Sequence, residues 1–255
     1  MTLHVRIITP HITPRPQKLE GLGPLRRFFP QLELSQVGLD SGPASIEGSF
    51  DEALCAPGVI QRSLEAQQEG IGHVVIDCMG DPGLEAAREA VSIAVLGSCE
   101  SSLHVAAMLG HRFSVVTVLD RVRPLLERRA SVYGVREKLA SVRAVNVPVL
   151  EIENDRNALV SGLLAQAKAA IVEDRADTIV LGCTGFIGLS DILATALRDA
   201  GCAVPVLDPL KTAVAMAMPL AALGLSHSQI AFPRADFRKR IQGFAALAKQ
   251  LAQQA

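Results

Sequence analysis

Cys78 and Cys183 stand in matching local sequence. Each closes a short apolar, β-branched run, Gly72-His73-Val74-Val75-Ile76-Asp77 before the first and Ala176-Asp177-Thr178-Ile179-Val180-Leu181-Gly182 before the second. A glycine-bearing turn follows each, Met79-Gly80-Asp81-Pro82-Gly83 and Thr184-Gly185-Phe186, and then a helical pattern. Two thiols facing each other across a site suit one reaction well. Inverting a stereocentre beside a carbonyl needs a base on one face to take the proton and an acid on the other to return one. A thiolate and a thiol can exchange those roles, so both enantiomers are substrates. A free thiol has a pKa of about 8.5, leaving a few per cent thiolate at neutral pH, and a helix N-terminus following each cysteine is expected to lower it. Backbone N–H groups of the glycine turns are expected to stabilise the enolate oxygen. This chemistry needs no cofactor, and no usual cofactor fingerprint occurs. The set Gly182, Gly185 and Gly188 lacks the dinucleotide-binding form.

Taken singly, either cysteine is most simply a buried packing residue. The duplicated context, with glycine around each thiol, reverses that reading. Cys55, Cys99 and Cys202 have no such counterpart and are expected to be packing or inert thiols. The loop Thr9-Pro10-His11-Ile12-Thr13-Pro14 carries hydroxyls at the end of a first strand, so Thr9, Pro10, His11 and Thr13 are candidate substrate contacts. Met79, Gly80, Thr184 and Gly185 are candidates because they form the cysteine turns, and Thr117 because it ends another strand. Asp81-Pro82 reads as a helix start, with Asp81 as N-cap. Glu100 opens a helix and either faces the cleft or complements the helix dipole.

The elements that must carry these residues alternate. Strands are expected at 3–8, 32–37, around 72–77, 92–96, 113–119, 142–147, before Cys183, and 204–207. Helices are expected at 18–29 (interrupted by Gly21, Gly23 and Pro24), 51–69 (broken near Pro57-Gly58), after Cys78, 100–109, 122–133, 157–173, 189–200, 211–223 and 236–252. Such alternation implies an α/β fold with a parallel sheet. The repeated cysteine turn implies two pseudo-symmetric lobes, each a mainly parallel sheet flanked by helices, with the site at their interface. Residues 1–98 plus 210–255 are expected to form the lobe with Cys78, and 99–209 the lobe with Cys183.

The chain has 255 residues, 49% hydrophobic and 20% charged, the balance of a soluble globular protein. A net charge of −1, no Trp and one Tyr argue against a nucleic-acid or anionic-membrane partner. No apolar run reaches the ~20 residues of a spanning helix, and the N-terminus does not read as a signal peptide. A cytoplasmic location is expected, with a small-molecule substrate and assembly as a homo-oligomer. The odd number of cysteines, 5, reads as free thiols, and scattered histidines give no structural zinc site.

At these residues the chain resembles the aspartate/glutamate/hydantoin racemase superfamily, most closely its hydantoin and allantoin racemase branch. The resemblance runs through Gly42-Pro43-Ala44-Ser45-Ile46-Glu47, Asp51-Glu52-Ala53-Leu54, Ala56-Pro57-Gly58, Cys78, Asp81-Pro82-Gly83-Leu84-Glu85-Ala86-Ala87-Arg88, Arg112-Phe113-Ser114-Val115-Val116-Thr117 and Leu181-Gly182-Cys183. It implies two flavodoxin-like lobes and cofactor-independent racemisation, with Cys78 and Cys183 in the places of the two catalytic thiols. Thr9-Pro10-His11-Ile12-Thr13 replaces the branch's usual Asn-Pro-Asn-Thr. Met79 stands where an aromatic residue is usual, and Cys183-Thr184-Gly185-Phe186 replaces Cys-Ala-Gly-Met. The implied substrate is a 5-substituted hydantoin or allantoin. Alternatives are an Asp/Glu-type amino-acid racemase, a maleate isomerase or arylmalonate decarboxylase acting on a small dicarboxylate, and a non-catalytic small-molecule binding protein.

Overall fold

A computed structural model describes residues 2–13, 17–237, 242–244 and 249. The first half of the chain runs β1 (Leu3–Ile8), α1 (Gln17–Gly21), α2 (Leu25–Phe28), β2 (Leu32–Val37), α3 (Ser49–Gln68), β3 (His73–Ile76), α4 (Leu84–Ala90) and β4 (Ala94–Gly97). The second runs α5 (Ser98–Leu109), β5 (Phe113–Thr117), α6 (Arg123–Val132), β6 (Leu139–Ala144), α7 (Arg156–Val172), β7 (Thr178–Leu181), α8 (Ser190–Asp199), β8 (Val206–Leu207) and α9 (Pro209–Leu223). Two sheets result, ordered β2-β1-β3-β4 and β6-β5-β7-β8, with every pairing parallel. The orders are the same pattern applied twice. β3 and β7 therefore hold equivalent central places, and each delivers a cysteine from its carboxyl end, where doubly wound sheets bind ligands.

Strands β3, β5 and β7 are buried along almost their whole length because helices cover both faces. In the first sheet, Ile8, Val74 and Ile76 pack under α3 and α4. Val5, Ile7, Val75 and Leu96 pack on the other face against Leu210, Ala213, Val214 and Ala217 of α9. The last described helix thus covers the first sheet. The second core, built on Phe113, Leu126, Leu163, Ile179 and Phe186, also takes in Met79, Cys99 and Leu103. Met79, in the Cys78 turn, is therefore buried in the opposite lobe's core. No helix among the described residues is long and apolar enough to cross a membrane.

Several local expectations are corrected. α3 runs unbroken through Pro57, and Gly58 lets it pass close to Leu39, whose Cδ1 would lie 2.9 Å from an added Cβ. β6 lies at 139–144 instead of 142–147; beyond it, Val145 and Val147 donate to Thr117 and Val118 carbonyls outside the ladder. The expected helix at 236–252 falls largely outside the described residues. Asp81 does not cap the helix that follows it. α4 starts after Gly83, at φ 71°, where an added Cβ would meet Ala56 Cα at 3.1 Å.

Asp81 instead turns back, at φ 46°, and caps α5. Its carboxylate accepts from the N–H groups of Cys99 (3.0 Å) and Glu100 (2.8 Å) and from the Tyr133 hydroxyl (2.7 Å), which follows α6. Burial raises the Asp81 carboxyl to about 6, against the opposing pull of those three donors. The folded protein thus keeps this proton to a higher pH than the unfolded chain. Its contribution to stability is full below about pH 4 and is lost as the pH rises through about 6. Asp81→Asn keeps a neutral side chain at every pH and lacks this pH-linked contribution, so its stability deficit relative to wild type follows the Asp81 proton. In urea melts the deficit should be largest near pH 4 and shrink by about 3 kcal/mol toward pH 7; a deficit independent of pH contradicts this account.

Candidate active site

Cys78 and Cys183 occupy equivalent turns with equivalent hydrogen bonds. Gly80 N–H donates to Cys78 Sγ at 3.3 Å, and Gly185 N–H to Cys183 Sγ at 3.3 Å. These glycine donors point at the sulfurs, where they favour a thiolate, and not at an oxygen of a ligand. A 3₁₀ turn, Thr184–Phe186, follows Cys183 directly, whereas α4 begins only at Leu84. The expected helix N-terminus is therefore missing at Cys78. Burial pushes the Cys78 thiol well above the ordinary thiol range, opposed by the Gly80 N–H and reinforced by Glu52 and Cys183.

Both cysteines line one cavity between the sheets. The first lobe contributes His11, Lys18, Ile46, Gly48, Glu52 and the Asp77–Gly80 turn. The second contributes Val118, Val122, Leu125, Val149 and the Gly182–Gly185 turn. One wall is thus apolar, while ionisable and hydroxyl groups gather near the thiols. The cavity is narrow, about 60 Å³.

The polar end is built around Lys18. Its ammonium donates to both Asp77 carboxylate oxygens at 2.8 and 2.7 Å and to Thr184 Oγ1 at 3.2 Å, with both charged side chains buried. Thr184 Oγ1 donates to the Asp77 carbonyl at 3.2 Å. Thr9 Oγ1 donates to Asp77 Oδ2 at 2.9 Å and accepts from Gln36 Nε2 at 2.8 Å. The residue before Cys78 is therefore bonded to the residue after Cys183, directly and through one cation. Near Cys78, Glu52 contacts Arg129 Nη2 at 3.5 Å, and burial raises its carboxyl to about 7, with Arg129 and Arg128 opposing and Asp81 reinforcing.

The sequence candidates divide on this geometry. Cys78, Cys183, His11, Met79, Gly80, Thr184 and Gly185 line the cavity. Thr9 is buried behind it, holding Asp77, and Pro10 is buried without lining it. Thr13 is exposed, donating to the Ala44 carbonyl at 2.6 Å and lying 3.1 Å from His11 Nδ1. Thr117 is buried, its hydroxyl donating to the Gly182 carbonyl at 3.0 Å. The two strands approach so closely there that an added Cβ at Gly182 would lie 2.6 Å from Thr117 Cβ. Glu100 pairs with Arg88 away from the thiols. Sequence reasoning missed Lys18, Asp77 and Glu52. Asp77 had a signal, a charged residue ending an apolar strand just before the cysteine.

The Asp/Glu/Hydantoin racemase family profile matches residues 26–217. Among curated proteins, a hydantoin racemase of Pseudomonas sp. is 41% identical over 198 residues, covering 78% of each chain. One of Rhizobium meliloti is 36% identical over 237 residues, covering 91% of this chain and 95% of its own. Among solved structures, an allantoin racemase from Klebsiella pneumoniae superposes with a TM-score of 0.84 at 34% identity, over 96% of this chain and 99% of that one. The two-lobed α/β fold, the twin cysteine turns and these likenesses agree: the chain belongs to the Asp/Glu/hydantoin racemase family and is an isomerase.

Proposed function

We propose that the protein racemises a 5-monosubstituted hydantoin by passing protons between Cys78 and Cys183 at the ring carbon beside the carbonyl. The observation that carries this reading is the equivalence of the thiols. Each follows the same strand of its own sheet, each accepts an N–H from the second residue on, and both line one cavity. In one direction the Cys78 thiolate removes the proton, the electron pair passes to the carbonyl oxygen as an enolate, and the Cys183 thiol protonates the opposite face. The reverse reaction exchanges the roles. The apolar wall of Ile46, Val118, Val122, Leu125 and Val149 favours an alkyl or aryl substituent over a ureido group, which would surrender hydrogen bonds to water there. Hydantoin racemases among the relatives support the ring.

Incubation of one enantiomer of 5-isopropylhydantoin in D₂O should take its optical rotation to zero while the ring α-proton is replaced by deuterium. Cys78→Ser and Cys183→Ser should each slow racemisation by about 10³-fold. Each variant should still wash deuterium into one enantiomer without inversion, and the two variants into opposite enantiomers. Retention exchange on the same enantiomer by both, or racemisation surviving in either, contradicts the two-thiol reading.

In the same mechanism Lys18 holds the two turns in register. Lys18→Met strands the buried Asp77 charge and should cost about 3–5 kcal/mol in a denaturant melt. Adding Asp77→Asn should restore most of that stability, because the charge left unpaired is then gone. Additive losses in the double variant argue against a coupled pair.

A further inference from the structure

Glu52 leaves a buried oxygen unmatched beside Cys78. Among the described residues, its Oε1 has no hydrogen-bond partner and is shut from solvent. Its place is made by Gly80: an added Cβ there would fall 1.6 Å from that oxygen and 2.7 Å from the carboxyl carbon. Gly80 is also the residue whose N–H binds Cys78 Sγ, so the carboxyl and the thiol sit against one turn. Buried carboxyl oxygens are seldom left unmatched, and Glu52 belongs to the lining of the cavity that both thiols line, where a ligand would bring the missing partner.

Resting on the two-thiol reading, we infer that Glu52 is a third catalytic residue, whose neutral carboxyl donates a hydrogen bond to the substrate oxygen that becomes the enolate. When the Cys78 thiolate takes the ring proton, the C–H pair moves onto that oxygen and the new S–H bond holds the proton. The Glu52 O–H stays bonded to its own oxygen and stabilises the charge. An ionised carboxylate in that place would repel both the thiolate and the enolate. A carboxylic acid kept neutral by an apolar site can serve as such a donor. The groups facing Glu52 are Arg128 and Arg129 of α6, Asp81 and Cys78 of the turn after β3, Cys99 of α5, and Cys55 on its own helix. The arginines favour the ionised form; burial and Asp81 oppose them and prevail, bringing the carboxyl to about 7. At neutral pH the donor form is therefore well populated.

The test is the pH dependence of kcat/KM between pH 6 and 8.5 for wild type, Glu52→Gln, Glu52→Ala, Cys78→Ser and Cys183→Ser, with 5-isopropylhydantoin and with allantoin. kcat/KM reports free-enzyme ionisations. Thiolate formation raises the rate about tenfold per pH unit, and loss of the Glu52 proton cancels that rise above about pH 7. Wild type should therefore change less than twofold between pH 7.5 and 8.5. Glu52→Gln, a donor that cannot ionise, should climb about tenfold over the same interval and stay within about tenfold of wild type at pH 6. Glu52→Ala should lose about a hundredfold at pH 6. If Glu52→Ala does not fold, the Glu52→Gln profile decides alone. A Glu52→Gln profile that levels off like wild type overturns the proposal, as does Glu52→Gln as inactive as a folded Glu52→Ala. Either result with both serine variants inactive leaves the two-thiol reading intact. Active serine variants, or a wild type that turns over neither compound, overturn that reading and the Glu52 proposal with it.

Discussion

Lys18 places an ammonium group between the two cysteine-bearing turns, where it is shielded from water by both. A buried charge is tolerable only with partners in good geometry, and Lys18 finds them in both Asp77 oxygens and in Thr184. Asp77 is itself fixed from four sides. Its N–H continues the sheet by donating to Ile8, its carboxylate takes Lys18 and Thr9, and its carbonyl takes Thr184. Cys78 directly follows Asp77, and Cys183 directly precedes Thr184. Their separation is thus set by a closed circuit of hydrogen bonds and not by the loose contact of two lobes. Met79, buried in the second core from the first lobe's turn, braces the same junction by packing.

That rigidity at the floor contrasts with the cavity above it. The cavity that both thiols line is narrow, about 60 Å³, and of its second-lobe lining Val122 and Val149 lie in short helical turns. Desolvation outweighs the single Gly80 donor and holds the Cys78 thiol protonated.

The doubly wound plan was legible because its central strands β3, β5 and β7 are buried and rich in β-branched apolar residues, and because one such run with its cysteine occurs twice. Strands β1 and β2 lie where the pattern put them. The errors came where partners distant in sequence decide. Asp81-Pro82 has the form of a helix start, yet the carboxylate serves α5, whose N-terminus reaches it only through the parallel pairing of β3 and β4. Thr9 and Thr117 have hydroxyls at strand ends, as a ligand site would, but both are turned into the frame. Lys18 and Glu52 carry no local mark of burial. Lys18 falls in an interrupted helical pattern and Glu52 in a family motif, and only the fold shows what surrounds them.

The two halves of the site are alike in backbone and unlike in surroundings, and that bears on how a racemase can use them. The carboxyl groups of Glu52 and Asp77 belong to the lobe of Cys78, while Val118, Val122 and Leu125 belong to the lobe of Cys183. Enantiomers in water have equal free energy, so the ratio of forward to reverse kcat/KM in a racemase must be unity whatever the asymmetry of the protein. Unequal surroundings can therefore be expressed only in how each direction divides between binding and turnover. A side chain that stabilises the enolate helps both directions equally, because both pass through it. One that contacts a single enantiomer in its ground state changes KM and kcat together for that enantiomer and leaves their ratio fixed. The likeness of the two halves therefore extends over both sheets and both cysteine turns, while the side chains around the cavity differ.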